Sequence, residues 1–307
     1  MNTWLGHGLA FVASGLYFSG FAFFKSAAAA MERLDGTRPL HLAARVLASG
    51  LWWSGVAFMF VGVVFQLAAL SRTGPETMTP ALLAGLVVLL AVARGVFKER
   101  VTGLEWLAFA LLFAAGVCFA QATASTWKPP SPAALLAIAT ASFVLPVGLF
   151  ALGDRQPAGA HARRLSGIAY GICAGILIGS GELSLTLSVR HGLDWSLLTS
   201  TAHPYLFVAA VGLGVVQLQI ALQRCRMVVL LFVATIVAKI YVLLAGASPA
   251  DPSSWTSGAH LLAGTVLLVT AFALVPRFEA AAPEAARAPG AAEPPRPVSR
   301  AGRARAG

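Results

Sequence analysis

A series of apolar stretches, each long enough to cross a membrane, dominates this sequence and restricts what it can fold into. A helix needs about 20 apolar residues to cross the hydrocarbon core of a bilayer. Soluble domains carry about 25% charged residues, whereas this chain is 58% hydrophobic and 11% charged. We therefore predict an all-α polytopic membrane protein. Its nine spans are placed at 5–25, 47–70, 79–97, 104–123, 132–153, 166–188, 205–222, 227–246 and 258–276.

The positive residues indicate how these spans are oriented. With nine spans, alternate loops face opposite sides, and one side receives most of the Lys and Arg residues, including those of the C-terminal tail. The other side receives only Arg72, Lys128 and Arg190. Because cytoplasmic loops carry the positive excess, we expect the N-terminus outside and the C-terminus in the cytoplasm, in the cytoplasmic (inner) membrane. Basic residues in short loops indicate the lipid bilayer as a partner and argue against nucleic-acid binding.

An internal repeat divides the chain into two halves. Residues 62–72 align without gaps to residues 214–224, and residues 8–11 match residues 167–170. Helices 1–4 thus correspond to helices 6–9, and the offset of five helices predicts an inverted repeat of 4 + 4 helices around a linker helix. The resulting units are a first repeat (1–130), linker helix 5 (131–155), a second repeat (156–278) and a basic cytoplasmic tail (279–307), which is predicted to be disordered.

Four glycines follow one another at intervals of four residues in the sixth stretch. Gly167, Gly171, Gly175 and Gly179 therefore form a smooth ridge along one side of a helix. In water each would cost about 1 kcal/mol relative to alanine, but in a bilayer small residues let a neighbouring helix approach closely. The ridge predicts tight helix packing, either within the chain or in a homodimer.

Two ionisable residues lie well inside apolar stretches. Glu182 follows the last glycine of the ridge by three residues, and Lys239 lies near the middle of the eighth stretch. Intramembrane charges are costly and usually functional. The two helices run in the same direction, which places the two residues at depths about 6 Å apart, at 1.5 Å per residue. They could pair directly or through water at a substrate or coupling site. A static ion pair, or a lysine reaching toward the headgroups, is the alternative.

Four other polar residues each allow two interpretations. Gln66, Gln217 and Gln219 are amides on repeat-related helices, and such groups either bond helix to helix or line a polar pocket. Arg94, near the end of the third span, either extends toward the headgroups or contacts substrate. Glu105 opens the fourth span, where a carboxylate is favourable with the helix dipole.

Standard motifs for chemistry are missing from the sequence. It has no nucleophile elbow, phosphate loop or zinc-protease signature. Its six histidines are scattered without metal-ligand spacing, so we expect no metal site and no cofactor. The sequence therefore does not favour an enzyme.

The segment from Leu51 to Val101 contains the series Leu51-Trp52-Trp53-Ser54-Gly55, Met59, Gly62, Thr79-Pro80 and Phe97-Lys98-Glu99-Arg100. Through these residues it resembles the NIPA-type magnesium-transporter branch of the drug/metabolite transporter superfamily. The Glu-Arg of the last group is also similar to a helix-end pair of the EamA-like exporters. This resemblance implies a secondary transporter of the drug/metabolite type.

One departure from the NIPA-type pattern bears on the substrate. That pattern has a glutamate directly after the glycine of helix 2 and an asparagine three residues later, where this chain has Val63 and Gln66. A hard divalent cation prefers oxygen ligands, above all carboxylates, so magnesium transport is disfavoured. We expect transport of a small metabolite, anionic or zwitterionic, by alternating access. The alternative is a non-transporting membrane scaffold that holds a partner protein or lipid.

Overall fold

The computed structural model describes residues 3–32, 34, 39–73, 75–123, 132–153, 160–190, 200–246 and 255–280. All regular secondary structure in these ranges is helical. In chain order the helices are α1 (Thr3–Ala30), α2 (Pro39–Leu47), α3 (Gly50–Leu70), α4 (Pro75–Ala84), α5 (Leu86–Gly95), α6 (Gly103–Thr123), α7 (Pro132–Gly153), α8 (Ala160–Arg190), α9 (His203–Arg224), α10 (Met227–Gly246) and α11 (Trp255–Ala280).

Many of these helices have the length and composition of membrane spans. Among the described residues, six candidate spans lie in α1, α3, the α4–α5 segment, α6, α8 and α9. Shorter apolar stretches lie in α7, α10 and α11. The prediction of an all-α polytopic membrane protein is confirmed, whereas the count of nine spans remains a prediction. The predicted tail lies outside the described residues from position 281 onward.

The third predicted span is not one continuous helix. It is divided at Gly85 into α4 and α5, where the backbone turns for a single residue. The hydroxyl of Ser14 in α1 donates a hydrogen bond to the carbonyl of Leu82, 2.5 Å away, just before the turn. A Cβ at position 85 would collide with the side chain of Ser14. Broken helices are tolerated in membranes where a neighbouring helix satisfies the freed backbone groups.

A short helix that the sequence reading missed precedes the second span. The predicted span 47–70 begins at Gly50 instead, because Leu47 ends α2 and Ser49 caps α3. The Ser49 hydroxyl accepts a hydrogen bond from the Trp52 amide at 3.3 Å. Helix α2 is amphipathic: Leu42 and Val46 are buried, whereas Arg45 is exposed.

The two halves use corresponding pairs of helices. Helix α1 packs extensively on α3, as α8 does on α9, and α6 packs on α11 across the halves. The aligned glycines Gly62 and Gly214 both face the first helix of their half: Gly62 lies against Tyr17 of α1, and Gly214 against Leu177 of α8. The repeat of 4 + 4 helices and the inverted orientation of the halves both remain predictions.

The glycine ridge of α8 is used within the chain. A Cβ on any of its four glycines would meet α10 or the turn before it. The neighbours are Cys225 for Gly167, Leu230 for Gly171, the Ala234 carbonyl for Gly175 and the Ala238 carbonyl for Gly179. Because α10 covers the ridge, a homodimer would have to use another surface.

Helix α7, the predicted linker, is attached to the second half. It packs against α8, and its Ser142 hydroxyl shares a hydrogen bond of 2.6 Å with the hydroxyl of Tyr241 in α10. The amide of Gln217 in α9 donates to the Pro146 carbonyl at 3.3 Å.

Candidate functional site

A cavity of about 150 Å³ lies between the two halves of the chain. Helices α1, α3 and α4 form one wall, and α8, α9 and α10 form the other. Most of the lining side chains are aliphatic or aromatic. The polar and charged ones are Ser14, Tyr17, Gln66, Glu182, Thr235 and Lys239. An apolar cavity with a few convergent polar groups is the usual form of a small-molecule site.

Glu182 and Lys239 form a direct ion pair in the cavity wall. Lys239 Nζ donates to Glu182 Oε1, and the two side chains are 12% and 19% exposed, respectively. The glycine ridge positions them, since Gly179 lies one turn before Glu182 and faces Ala238, the residue before Lys239. The sequence left open whether the residues pair directly or through water, and the structure shows a direct contact.

A second polar contact lies in the opposite wall. The hydroxyl of Tyr17 in α1 donates to Gln66 Oε1 in α3 at 2.5 Å. Tyr17 was not among the sequence candidates. A tyrosine in the middle of an apolar span is the signal that was missed, because a buried hydroxyl usually requires a polar partner.

Three hydrogen bonds described for the cavity residues each stay within one half of the chain. Glu182 pairs with Lys239 inside the second half, whereas Tyr17 pairs with Gln66 inside the first. The bond from Ser14 to the Leu82 carbonyl also stays within the first half. Around the cavity, each wall therefore satisfies these polar groups by itself.

The remaining sequence candidates lie elsewhere. Gln217 and Gln219 are fully buried and donate to backbone carbonyls of other helices, Gln217 to Pro146 at 3.3 Å and Gln219 to Phe24 at 3.0 Å. Both side chains link neighbouring helices by hydrogen bonds, which was one of the two interpretations that the sequence allowed. Arg94 is exposed at the end of α5, away from the cavity lining.

A separate polar cluster lies where α6 and α10 begin. Glu105 is 0% exposed, and its carboxylate lies 3.0 Å from the Arg226 guanidinium. It also accepts a hydrogen bond of 2.6 Å from the Thr102 amide, which forms a capping box at the start of α6. The helix dipole therefore explains only part of why this carboxylate is found here.

The donor set of the cavity suits an organic solute better than a metal. Its lining contains one carboxylate, Glu182, which is already paired with a lysine. In the part of the chain that the structure describes, no three His, Cys, Asp or Glu side chains lie close enough to hold a metal ion. A solute with both a cationic and an anionic group would find a partner for each.

No family model matches the chain, no curated protein matches its sequence, and no solved structure matches its fold. The likeness to the drug/metabolite transporter superfamily thus stays an expectation from the residues of the second and third spans.

Proposed function

We propose that this protein is a secondary transporter of the drug/metabolite type, which moves a small metabolite across the cytoplasmic membrane by alternating access. The observation that carries the proposal is the Glu182–Lys239 pair in the wall of a cavity between two similarly packed halves. Inverted-repeat transporters bind their substrates near the midplane, at the interface between the repeats.

The bonding pattern around the cavity supports movement between the halves. The Glu182–Lys239 and Tyr17–Gln66 contacts each stay within one half. The halves can therefore separate at the cavity without leaving these groups unpaired in the membrane. Unpaired polar groups would be costly there, because no water replaces the lost bond.

The size and charge of the cavity favour a small zwitterion. Drug-sized ligands occupy pockets of about 300–1,000 Å³, and this cavity is smaller, at about 150 Å³. A lone anion would neutralise Lys239 and leave Glu182 unpaired, which is costly in a buried site. A zwitterion replaces both partners of the pair and keeps the net charge of the cavity unchanged. Its apolar part would contact the aromatic and aliphatic lining.

The test is transport by purified protein in proteoliposomes. Small labelled zwitterions, the corresponding anions and magnesium are assayed separately, after thermal-shift measurements have ranked their binding. We expect flux of a zwitterion, no flux of magnesium, and no flux in the Glu182→Gln and Lys239→Met variants. If no solute moves and a stoichiometric protein or lipid co-purifies with the chain, the protein is a scaffold.

A further inference from the structure

A cluster of polar contacts between the two halves lies at the corner where α9 ends and α10 begins, residues 222–228. Lys25 of α1 reaches across to this corner, and its Nζ donates to the carbonyls of Leu222 at 2.6 Å and Cys225 at 3.0 Å. The last carbonyls of a helix have no partner within the helix. A cation placed there satisfies them and interacts favourably with the helix dipole.

Glu99 binds the same corner from the other side. Its carboxylate accepts hydrogen bonds from the amides of Met227 at 2.9 Å and Val228 at 3.4 Å, the first two of α10. Glu99 comes from the first half, in the loop after α5. Lys98 directly before it has a left-handed backbone, with φ of 55°. This conformation is uncommon outside glycine, and it turns the chain just before Glu99.

Arg226, within the corner, completes the network. Its guanidinium lies 3.0 Å from the buried carboxylate of Glu105 and 3.8 Å from that of Glu99. It also donates to the carbonyl of Arg100 at 2.6 Å. These contacts join the second half to the start of α6 in the first half. Charge-assisted hydrogen bonds of this kind are about twice as strong as neutral ones.

The corner lies beyond one end of the cavity. Lys25 follows Tyr17 by eight residues along α1, or about 12 Å, at 1.5 Å per residue. Arg226 precedes Thr235, a cavity residue of α10, by a similar distance. The polar bonds at the cavity stay within a half, whereas those of Lys25, Glu99 and Arg226 cross between halves. The distribution of positive residues predicts that this end faces the cytoplasm.

We propose that Lys25 and Glu99 form the cytoplasmic gate of the cavity. Bound to the two helix ends of the corner, they hold the second half against the first and close the cavity to the cytoplasm. Their release opens it to that side. This inference rests on the proposed transport function, because a gate presupposes a cavity that opens to both sides.

The chemistry of these contacts suits reversible opening. Both side chains bind backbone groups, so a single substitution removes each contact and leaves the backbone sequence of the corner unchanged. Since the corner lies at a loop between helices, water can replace the lost bonds when the gate opens. Exchange of a protein hydrogen bond for a water hydrogen bond has a modest net free energy.

The experiment measures access to the cavity from one side at a time. A Thr235→Cys reporter is placed in the cavity lining of the full-length chain, in membrane vesicles of known orientation. A membrane-impermeant maleimide is then applied from the cytoplasmic side. Each gate variant without the reporter, which retains Cys118, Cys173 and Cys225, gives the background labelling for that variant, because Cys225 itself lies in the corner.

Glu99→Ala and Lys25→Met are expected to raise the cytoplasmic labelling rate about tenfold, because each loses a charge-assisted bond that favours the closed state. Glu99→Gln, which keeps one carbonyl acceptor, should show a smaller increase. The matched control is Arg45→Gln. It breaks an exposed pair of 2.8 Å with Glu32 inside the first half and should leave the labelling unchanged.

Two results overturn the gate. One is unchanged cytoplasmic labelling in both Glu99→Ala and Lys25→Met while the reporter still reacts from the outside. The other is an equal increase in the labelling rate of Arg45→Gln, which would show that the effect comes from a general loss of stability and not from the gate. If the gate variants raise the cytoplasmic labelling rate but the protein transports no solute, the gate is supported and only the proposed transport function is contradicted. The readout needs no substrate, so the two failures are distinguishable.

Discussion

Gly179 of α8 faces the backbone carbonyl of Ala238 of α10 so closely that a Cβ at position 179 would lie 2.9 Å from that oxygen. Glu182 lies one turn further along α8, and Lys239 directly follows Ala238. The close approach of the two backbones therefore brings the carboxylate and the ammonium group together. The tight packing of α8 on α10 at Gly179 thus positions the charged pair of the cavity.

Substitution at this contact should separate the two helices. We expect Gly179→Ala to destabilise the protein by about 1–3 kcal/mol, as overpacking of a tight contact does, and to lower the transport rate. The measurement is the melting temperature in detergent, together with flux in proteoliposomes. Gly212→Ala is the control, because a Cβ at position 212 meets no atom within 4 Å. Equal effects of the two substitutions would contradict the packing argument.

The ion pair should behave as a coupled unit. Glu182→Gln or Lys239→Met alone leaves one buried charge without its partner, a loss of about 3–5 kcal/mol for a well-buried pair. Both side chains here retain some exposure, so we expect less. The double variant removes both charges and should recover part of the stability without recovering transport. Thermal unfolding of the four proteins in a double-mutant cycle measures the coupling. Additive losses would show that the two residues do not interact.

The Tyr17–Gln66 contact predicts a second coupled pair. Tyr17→Phe leaves Gln66 Oε1 without its donor, and we expect a loss of about 1–2 kcal/mol. Adding Gln66→Leu should restore most of that stability, because both polar groups are then removed together. If the hydroxyl also contacts the transported solute, the affinity measured by thermal shift falls in both variants. Full stability of Tyr17→Phe alone would contradict the hydrogen bond.

The break between α4 and α5 can be tested with a rescue. Gly85→Ala places a methyl group against the Ser14 side chain, and we expect a clear decrease in melting temperature. Ser14→Gly in the same chain makes room for that methyl group but removes the hydrogen bond to Leu82. The double variant should therefore be more stable than Gly85→Ala and less stable than the unmodified protein. A double variant no better than Gly85→Ala would place the conflict elsewhere.

Much of the helical architecture followed from hydropathy. Long apolar stretches must be helical in lipid, so the positions of most spans were predictable. The division at Gly85 was not, because proline and glycine are common in membrane helices without a break. The break here coincides with a contact from another helix, since α1 brings the Ser14 hydroxyl to the carbonyl of Leu82.

The candidate site was only partly predictable. Glu182 and Lys239 stand out because charge is rare inside apolar spans, and Gln66 because amides are. Tyr17 is a weaker signal, since its ring is compatible with lipid and only its hydroxyl requires a polar partner. The partnership of Glu105 with Arg226 joins residues of different halves, and only the tertiary fold shows it. Sequence reasoning identifies an unusual residue more readily than its partner.

The attachment of α7 has a consequence for how the molecule is divided. A hydrogen bond between Ser142 of α7 and Tyr241 links α7 to α10, and a hydrogen bond from the Gln217 amide to the Pro146 carbonyl links it to α9. We therefore expect α7 to move together with the second half. In the proposed transport cycle, we expect the boundary between the two moving parts to fall between α6 and α7.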